Sequence, residues 1–450
     1  MKKRNFSTFA VPYYAFILSI FWNSQAQITP NPIITRGQNI YTSGGEQNDS
    51  NLADGDYGNY WVPTKMPAWQ AFKIKGSPKK LLLYFKTFQW GTYEDAQHTL
   101  NDYQIQVSDN STNGIDGTWE DVITKKGNNK SNVIHTFDFS GNKWVRLHIT
   151  KWSREDNHGG LSEIDIHDVS NGTEDTYIFL GNSITEFSYF RWKDRQPDFS
   201  TNIQNKFPLY QPAMISAGIG GVTASFAADN IDKYLADNPN IHYWCLAYGT
   251  NDSWGDTEGK NAEEFGSTMK GLIQKIIAKG KIPIIQKIPY AQGSEHLGIP
   301  FYNEKISTLT KEFNLITGPD MYTWFLEHQK ELRDGVHPTE TGALSIHKLW
   351  ATVMEPLYRN STPTNFKNKH QDSPLTFNNH VFLNLNIKRM GITGAKILNL
   401  HGKLITNLSI KKYPLNWTGT GRDGQSVAPG IYILHLNQGE SSKSFRFLKY

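Results

Sequence analysis

Four short clusters between residues 181 and 338 hold side chains that can do chemistry. Gly181-Asn-Ser-Ile-Thr185 contains Ser183, and Ala217-Gly-Ile-Gly-Gly221 ends in paired glycines. Gly249-Thr-Asn-Asp252 contains Asn251, and Asp334-Gly-Val-His-Pro338 sets an aspartate three residues before His337. A hydroxyl, an imidazole and a carboxylate are the parts of nucleophilic acyl transfer, and amide N–H groups are the parts of an oxyanion site. The spacing of Asp334 and His337 lets one loop deliver both. No clustered His/Cys ligand set accompanies them, so no metal is expected in this chemistry. Taken singly, Gly-Asn-Ser and Asp-Gly are ordinary turn chemistry. Four clusters in order, each after a predicted strand of one repeating framework, are more than turns.

That framework begins at Thr176. Short apolar runs at Tyr177–Leu180, Met214–Ala217, Ile241–Tyr248, Ile282–Ile288 and Leu315-Ile316 alternate with helical patterns. The clearest helix carries Phe265, Met269, Leu272, Ile273, Ile276 and Ile277 on one face and stops at Gly280. Alternation of this kind predicts a parallel sheet with helices on both faces. Ligands of such sheets bind beyond the carboxyl ends of the strands, where strand order reverses. With a flavodoxin-like order, 2-1-3-4-5, Ser183 and Asn251 face each other across that crevice and Gly221 lies alongside.

These clusters resemble the SGNH (GDSL-type) hydrolase family over nearly all of Thr176–Tyr358. The resemblance implies an α/β three-layer sandwich of flavodoxin-like type. It places the family's nucleophile on Ser183, its late aspartate and histidine on Asp334 and His337, and its oxyanion-hole groups on Ser183, Gly221 and Asn251. The usual Gly-Asp-Ser is Gly181-Asn182-Ser183 here, and Ser216 and Gly220 stand where Asn and Ser are frequent. The chain has no Gly-x-Ser-x-Gly elbow, which disfavours the ordinary α/β-hydrolase arrangement.

The flanks read differently. Met1-Lys-Lys-Arg4, the apolar run Phe9–Trp22 and small residues at Ser24 and Ala26 have the three parts of a secretory signal, 1–26. The run, at about 14 residues, is short for a bilayer span of ~20. Residues 27–172 alternate in short strands broken by Gly, Asn and Asp, which predicts a β-sandwich or jelly roll. Leu52-Ala-Asp-Gly-Asp56 before Trp61, Tyr103–Ser108 with Gly117-Thr-Trp119, and Trp144–Ile149 before Ser162–Ile166 resemble the discoidin (factor 5/8 type C) domain. The resemblance implies an independent, carbohydrate-binding, galactose-binding-like module. Trp61, Trp119 and Trp144 are each expected in the core rather than on a sugar. At Asp54 or Asp56 a plain Asp-Gly turn is expected, with a structural calcium ion the alternative. Residues 173–360 form the hydrolase domain and 361–373 a polar linker. Residues 374–450 are a small β-sandwich in which Trp417–Tyr432 resembles the C-terminal sorting domain of type IX secretion.

Composition sets outer limits. The chain has 450 residues, 13% of them aromatic, too many for a disordered protein. Net charge is only +4 and no dense basic stripe is visible, so no nucleic-acid partner is expected. The one cysteine, Cys245, excludes internal disulfides. Together the resemblances imply a bacterial protein, secreted or attached to the outer-membrane surface without stable membrane insertion, needing no cofactor for catalysis. They imply a carbohydrate esterase that deacylates polysaccharides, with the type IX machinery as a partner and Trp192 and Trp254 as candidate sugar platforms. A lipid or peptidoglycan acyl hydrolase and a non-catalytic glycan-binding surface protein are the alternatives.

Overall fold

The computed structural model describes residues 28–45, 52–56, 59–87, 92–94, 98–153, 160–189, 196–359, 382–383, 392–399, 402–410, 415–428, 430–438 and 441–449. The expected signal segment, the linker and Trp192 lie outside the described residues.

Eight strands build the N-terminal unit: β1 (Ile40–Thr42), β2 (Ala68–Lys73), β3 (Lys80–Thr87), β4 (Leu100–Ser108), β5 (Glu120–Lys125), β6 (Asn132–Asp138), β7 (Trp144–Trp152) and β8 (Leu161–Asp168). They form two antiparallel sheets, ordered β1-β2-β7-β4-β5 and β6-β3-β8. The period-2 alternation explains the packing. Ile105 and Val107 of β4 and Val145, Leu147 and Ile149 of β7 point into one core with Leu81, Leu83 and Phe85 of β3. Two of the alternate residues of β3, Leu82 and Tyr84, are large and buried as well. Leu82 and Tyr84, with Ile134 of β6, face the other way and enter a second core that belongs to the next unit. The sandwich is therefore not the detached module expected from the sequence, because its three-stranded sheet is buried on both faces. Trp61 and Trp144 are fully buried. Trp119 is half-buried, with the Arg146 guanidinium 3.9 Å from its ring centre.

The second unit alternates strands and helices: β9 (Thr176–Gly181), α1 (Ser183–Ser188), α2 (Phe199–Lys206), β10 (Ala213–Gly218), α3 (Ala224–Asp237), β11 (Tyr243–Ala247), α4 (Ala262–Ala278), β12 (Ile282–Lys287), α5 (Ile299–Glu312), β13 (Thr317–Asp320), α6 (Met321–Glu327) and α7 (Glu340–Arg359). The sheet is parallel with order β10-β9-β11-β12-β13, which is the 2-1-3-4-5 order. Ile178, Leu180, Ile215, Ala217, Trp244 and Leu246 project to the face covered by α3, α4 and α5. Tyr177, Phe179, Met214, Tyr243 and Cys245 project to the face covered by α1, α2, α6 and α7. All six expected apolar positions of α4 are buried. The fifth strand is displaced from Leu315-Ile316 to Thr317–Asp320. Those two side chains are buried, but the chain leaves α5 through Asn314 at φ 49° and ladder pairing with β12 starts only at Thr317.

Strand β10 is an edge, and the sandwich closes it. The Asn132 side-chain amide donates to the Ser216 carbonyl and accepts from the Ser216 N–H, both at 2.9 Å, while the Tyr93 N–H donates to the Gly218 carbonyl at 2.9 Å. Backbone groups that would otherwise face water, or another chain, are thereby satisfied within the protein.

The last unit holds β14 (Phe382–Leu383), β15 (Gly394–Asn399), β16 (Leu404–Leu408), β17 (Leu415–Asn416), β18 (Gly430–Gln438) and β19 (Ser441–Lys449). Four of these form an antiparallel sheet, β16-β15-β18-β19, and β14 pairs with β17. Ile397, Trp417, Tyr432, Leu434 and Leu436 make its small core. Among the described residues no helix is long and apolar enough to cross a membrane.

Candidate active site

Ser183 owes its position to a strand that stops and a helix that starts. Strand β9 ends at Gly181, and the Asn182 side chain caps α1 by accepting the Ile184 N–H at 3.0 Å. Asparagine and aspartate cap about equally well, so the departure from Gly-Asp-Ser does not disturb the helix start. Ser183 is then the first helical residue, whose N–H has no intrahelical acceptor. Helix α1 lies directly on the end of β10: a Cβ on Gly218 would come within 2.2 Å of the Glu186 nitrogen, so only glycine fits there.

The late loop brings the other two groups. His337 Nε2 is 2.9 Å from Ser183 Oγ, and His337 Nδ1 is 2.8 Å from Asp334 Oδ2. The other carboxylate oxygen accepts the N–H groups of Val336 (3.1 Å) and His337 (2.7 Å), so the loop itself orients the carboxylate. Burial works to raise the Asp334 carboxyl, but those two N–H bonds and the imidazole outweigh it and hold it down to about 2. An ionised carboxylate accepts only, so Nδ1 carries the proton and Nε2 is left to accept from the serine. The Phe187 ring meets the imidazole edge-on, centroids 5.1 Å apart. The Arg333 guanidinium lies 4.2 Å from the Phe187 ring centre and 3.8 Å from the Asp334 carboxylate.

The loops after β10 and β11, the two strands that flank β9, carry the amide groups. Gly221 has φ +76°, the left-handed region, and a Cβ there would meet nothing within 4 Å. Glycine is needed at this position for its backbone, not for space. Asn251 Nδ2 donates one hydrogen to the Val222 carbonyl at 2.8 Å, which fixes the amide and leaves its second hydrogen without a protein acceptor among the described residues. The next residue ties the same two loops together, since Asp252 Oδ1 accepts the Ala224 N–H at 2.9 Å at the start of α3. Burial raises the Asp252 carboxyl, with the Ala224 N–H opposing. On the near side, burial also raises the Glu186 carboxyl, opposed by the Gly220 N–H that it accepts and by the Lys86 ammonium of the sandwich.

The structure thus brings Ser183, His337 and Asp334 into one hydrogen-bonded chain and links Asn251 to the loop that carries Gly221. Trp254 is 57% exposed three residues beyond Asn251, with its ring edge-on to His296 at 4.7 Å. Asp54 and Asp56 form the turn: Asp54 Oδ1 accepts the Asp56 N–H at 2.7 Å, and Asp56 Oδ2 accepts from Asn59. Among the described residues no group of three or more His, Cys, Asp or Glu could hold a metal ion. Sequence reasoning missed Glu186, Phe187, Arg333 and Asp252. Glu186 and Phe187 lie one helical turn from Ser183, Arg333 adjoins Asp334 and Asp252 adjoins Asn251, and that spacing was the available signal.

With this geometry in hand, the class of the central unit is plain. Residues 179–343 match the model of the GDSL-like lipase/acylhydrolase family, and the chain contains a hydrolase domain of that GDSL/SGNH type. A crystal structure of an acetyl xylan esterase is similar at 22% identity, covering 40% of this chain and 99% of that one with a TM-score of 0.33. An acetylxylan esterase from Geobacillus stearothermophilus is similar at 18% identity over 41% of this chain and 93% of its own, TM-score 0.33. A chitosan-binding module from Paenibacillus sp. IK-5 is similar at 20% identity over 30% of this chain and 98% of its own, TM-score 0.25. A comparison with curated proteins found no match.

Proposed function

We propose that this protein is an exported serine esterase that removes acyl groups, acetyl above all, from polysaccharides. The observation that carries the reading is the chain of hydrogen bonds Ser183–His337–Asp334, with an oriented Asn251 amide in the loop after the adjacent strand β11. His337 takes the Ser183 proton as Oγ bonds to the ester carbonyl carbon, and Asp334 stabilises the imidazolium. The carbonyl oxygen becomes an oxyanion that accepts from the N–H groups of Ser183 and Gly221 and from Asn251 Nδ2. His337 then protonates the departing sugar oxygen as the C–O bond breaks. Water, deprotonated by the same imidazole, releases the acid and restores Ser183. Side chains of the chain itself move every proton.

The substrate side rests on different support. The catalytic carboxylate and imidazole are partly exposed, with no broad apolar lid in the sequence to bind a long acyl chain. The exposed Trp254 ring, three residues beyond Asn251, offers a π-face to sugar C–H groups, and Trp192 is proposed for the same role. The N-terminal sandwich extends this as a glycan-binding unit, and residues 1–26 with 374–450 as addresses for export and type IX sorting to the medium or the outer surface. Acetate release from acetylated xylan and pectin, compared with turnover of p-nitrophenyl esters of increasing chain length, tests the reading. Activity that rises with chain length and spares acetylated polysaccharide would favour a lipid acyl hydrolase instead.

A further inference from the structure

The strand that leads into the Gly221 loop and the C-terminal end of the helix that follows it are both held by residues of the N-terminal sandwich. The loop leaves β10 at Gly218 and enters α3 behind the Thr223 cap. Upstream, the fully buried Asn132 imitates a neighbouring strand by pairing with both backbone groups of Ser216, across 84 residues of sequence. The Tyr93 N–H takes the Gly218 carbonyl, and Tyr93 is itself held by the Ser131 N–H at 3.0 Å. Downstream, the Tyr93 ring packs edge-on against Tyr234 of α3 at 5.7 Å, and its hydroxyl accepts from Asn238 at 3.1 Å. Lys130 pairs with Glu94 and lies 5.3 Å from the Tyr234 ring centre, which closes the grip.

We propose that the sandwich positions the oxyanion loop and that Asn132 is the positioning residue through which it acts. The proposal rests on the esterase reading above for its kinetic consequence, but not for its structural one. An edge strand held on one side only is free to shift at its end, and the loop beyond β10 would carry that shift to the Gly221 N–H. An oxyanion donor is useful only when held at hydrogen-bond distance from where the oxygen will be, not where the ground-state carbonyl lies. Loosening the grip therefore slows the chemical step and leaves substrate binding nearly alone.

The test uses the full chain. Asn132→Ala is compared with Ile105→Ala, which lowers stability from within the sandwich core and touches neither β10 nor α3. On p-nitrophenyl acetate, at a temperature where both are folded, Asn132→Ala should lose about tenfold in kcat or more, short of the 10²–10³ that follows outright loss of a donor. Its KM should stay within about twofold, and Ile105→Ala should keep wild-type kcat, since equal binding with slower turnover marks a transition-state effect. In parallel, hydrogen exchange of the 213–222 segment should quicken in Asn132→Ala alone. Wild-type kcat in folded Asn132→Ala, or equal slowing in both variants, overturns the proposal. If the wild-type protein turns over no ester, the esterase reading fails and exchange decides alone: selective quickening supports the grip and unchanged exchange overturns it. Should Asn132→Ala be insoluble, Asn132→Asp takes its place under the same criteria, because it keeps the volume and loses the donor to Ser216.

Discussion

Replacing Asn251 by alanine separates catalysis from stability more cleanly than any other change at this site. Among the described residues the side chain makes one bond, from Nδ2 to the Val222 carbonyl at 2.8 Å, and its second hydrogen is the one proposed to meet the substrate oxyanion. Both are lost in Asn251→Ala, but they are lost in different states. A net hydrogen bond of this kind contributes roughly 0.5–1.5 kcal/mol to folding. Val222 is only half-buried, so the low end applies. Melting should fall by a few degrees at most, at about 2–4 °C per kcal/mol for a domain of this size. The donor to the oxyanion matters far more, about 10²–10³ in kcat, or roughly 2.7–4 kcal/mol. Steady-state kinetics on p-nitrophenyl acetate at 25 °C, with the fold checked by circular dichroism, should show that fall in kcat with KM within about twofold. Asn251→Asp should be no better, because its carboxylate would face the developing negative charge. A folded Asn251→Ala protein with wild-type kcat would falsify the oxyanion assignment and leave the family resemblance as one of fold alone.

Ser183→Ala and His337→Ala should each abolish ester hydrolysis, and the double variant should be no slower than either, since nucleophile and base act as one unit; additive losses would mean that they act separately. Asp334→Asn should keep a measurable remnant, because it disturbs the imidazole tautomer without removing the attacking oxygen. With its folded carboxyl held at about 2, below the unfolded value, Asp334 contributes stability above roughly pH 4 that is lost as pH falls through about 2, so acid titrations of wild type and Asp334→Asn should converge there. Asp175 runs the opposite way: complete burial raises its carboxyl to about 8, with the Tyr358 hydroxyl bond at 2.7 Å opposing. The native state keeps a proton that the unfolded chain gives up near pH 4, so stability should decline with rising pH up to about 8, by at most ~1.4 kcal/mol per unit. Urea unfolding of Asp175→Asn should lack that slope, and parallel stability curves for the two proteins would refute the buried-proton argument.

What the residues determined by themselves is local. Asn182 capping the Ile184 N–H and Asp334 meeting the His337 ring span two and three residues, and short spans leave a readable pattern. The six-residue apolar face of α4 and the strand–loop–helix repeat are equally local, so the parallel sheet and the clusters at the ends of β9, β10 and β11 could be read in advance. The Asp334–Pro338 cluster, expected after a strand, follows α6 instead. Burial of Leu315 and Ile316 looks the same in sequence whether or not their backbone pairs, so sequence alone sets the fifth strand two residues early. Only the tertiary structure could set Ser183 and His337, 154 residues apart, at 2.9 Å. Only it could show that the sandwich and the hydrolase share a core, although the unbroken apolar run Leu81–Phe85 already had a face too many for a one-sided strand. The grip of Asn132 on Ser216 left no sign at all. An edge strand offers bare N–H and C=O groups, which every residue but proline carries in full, so no choice of side chain on β10 records who will pair with them.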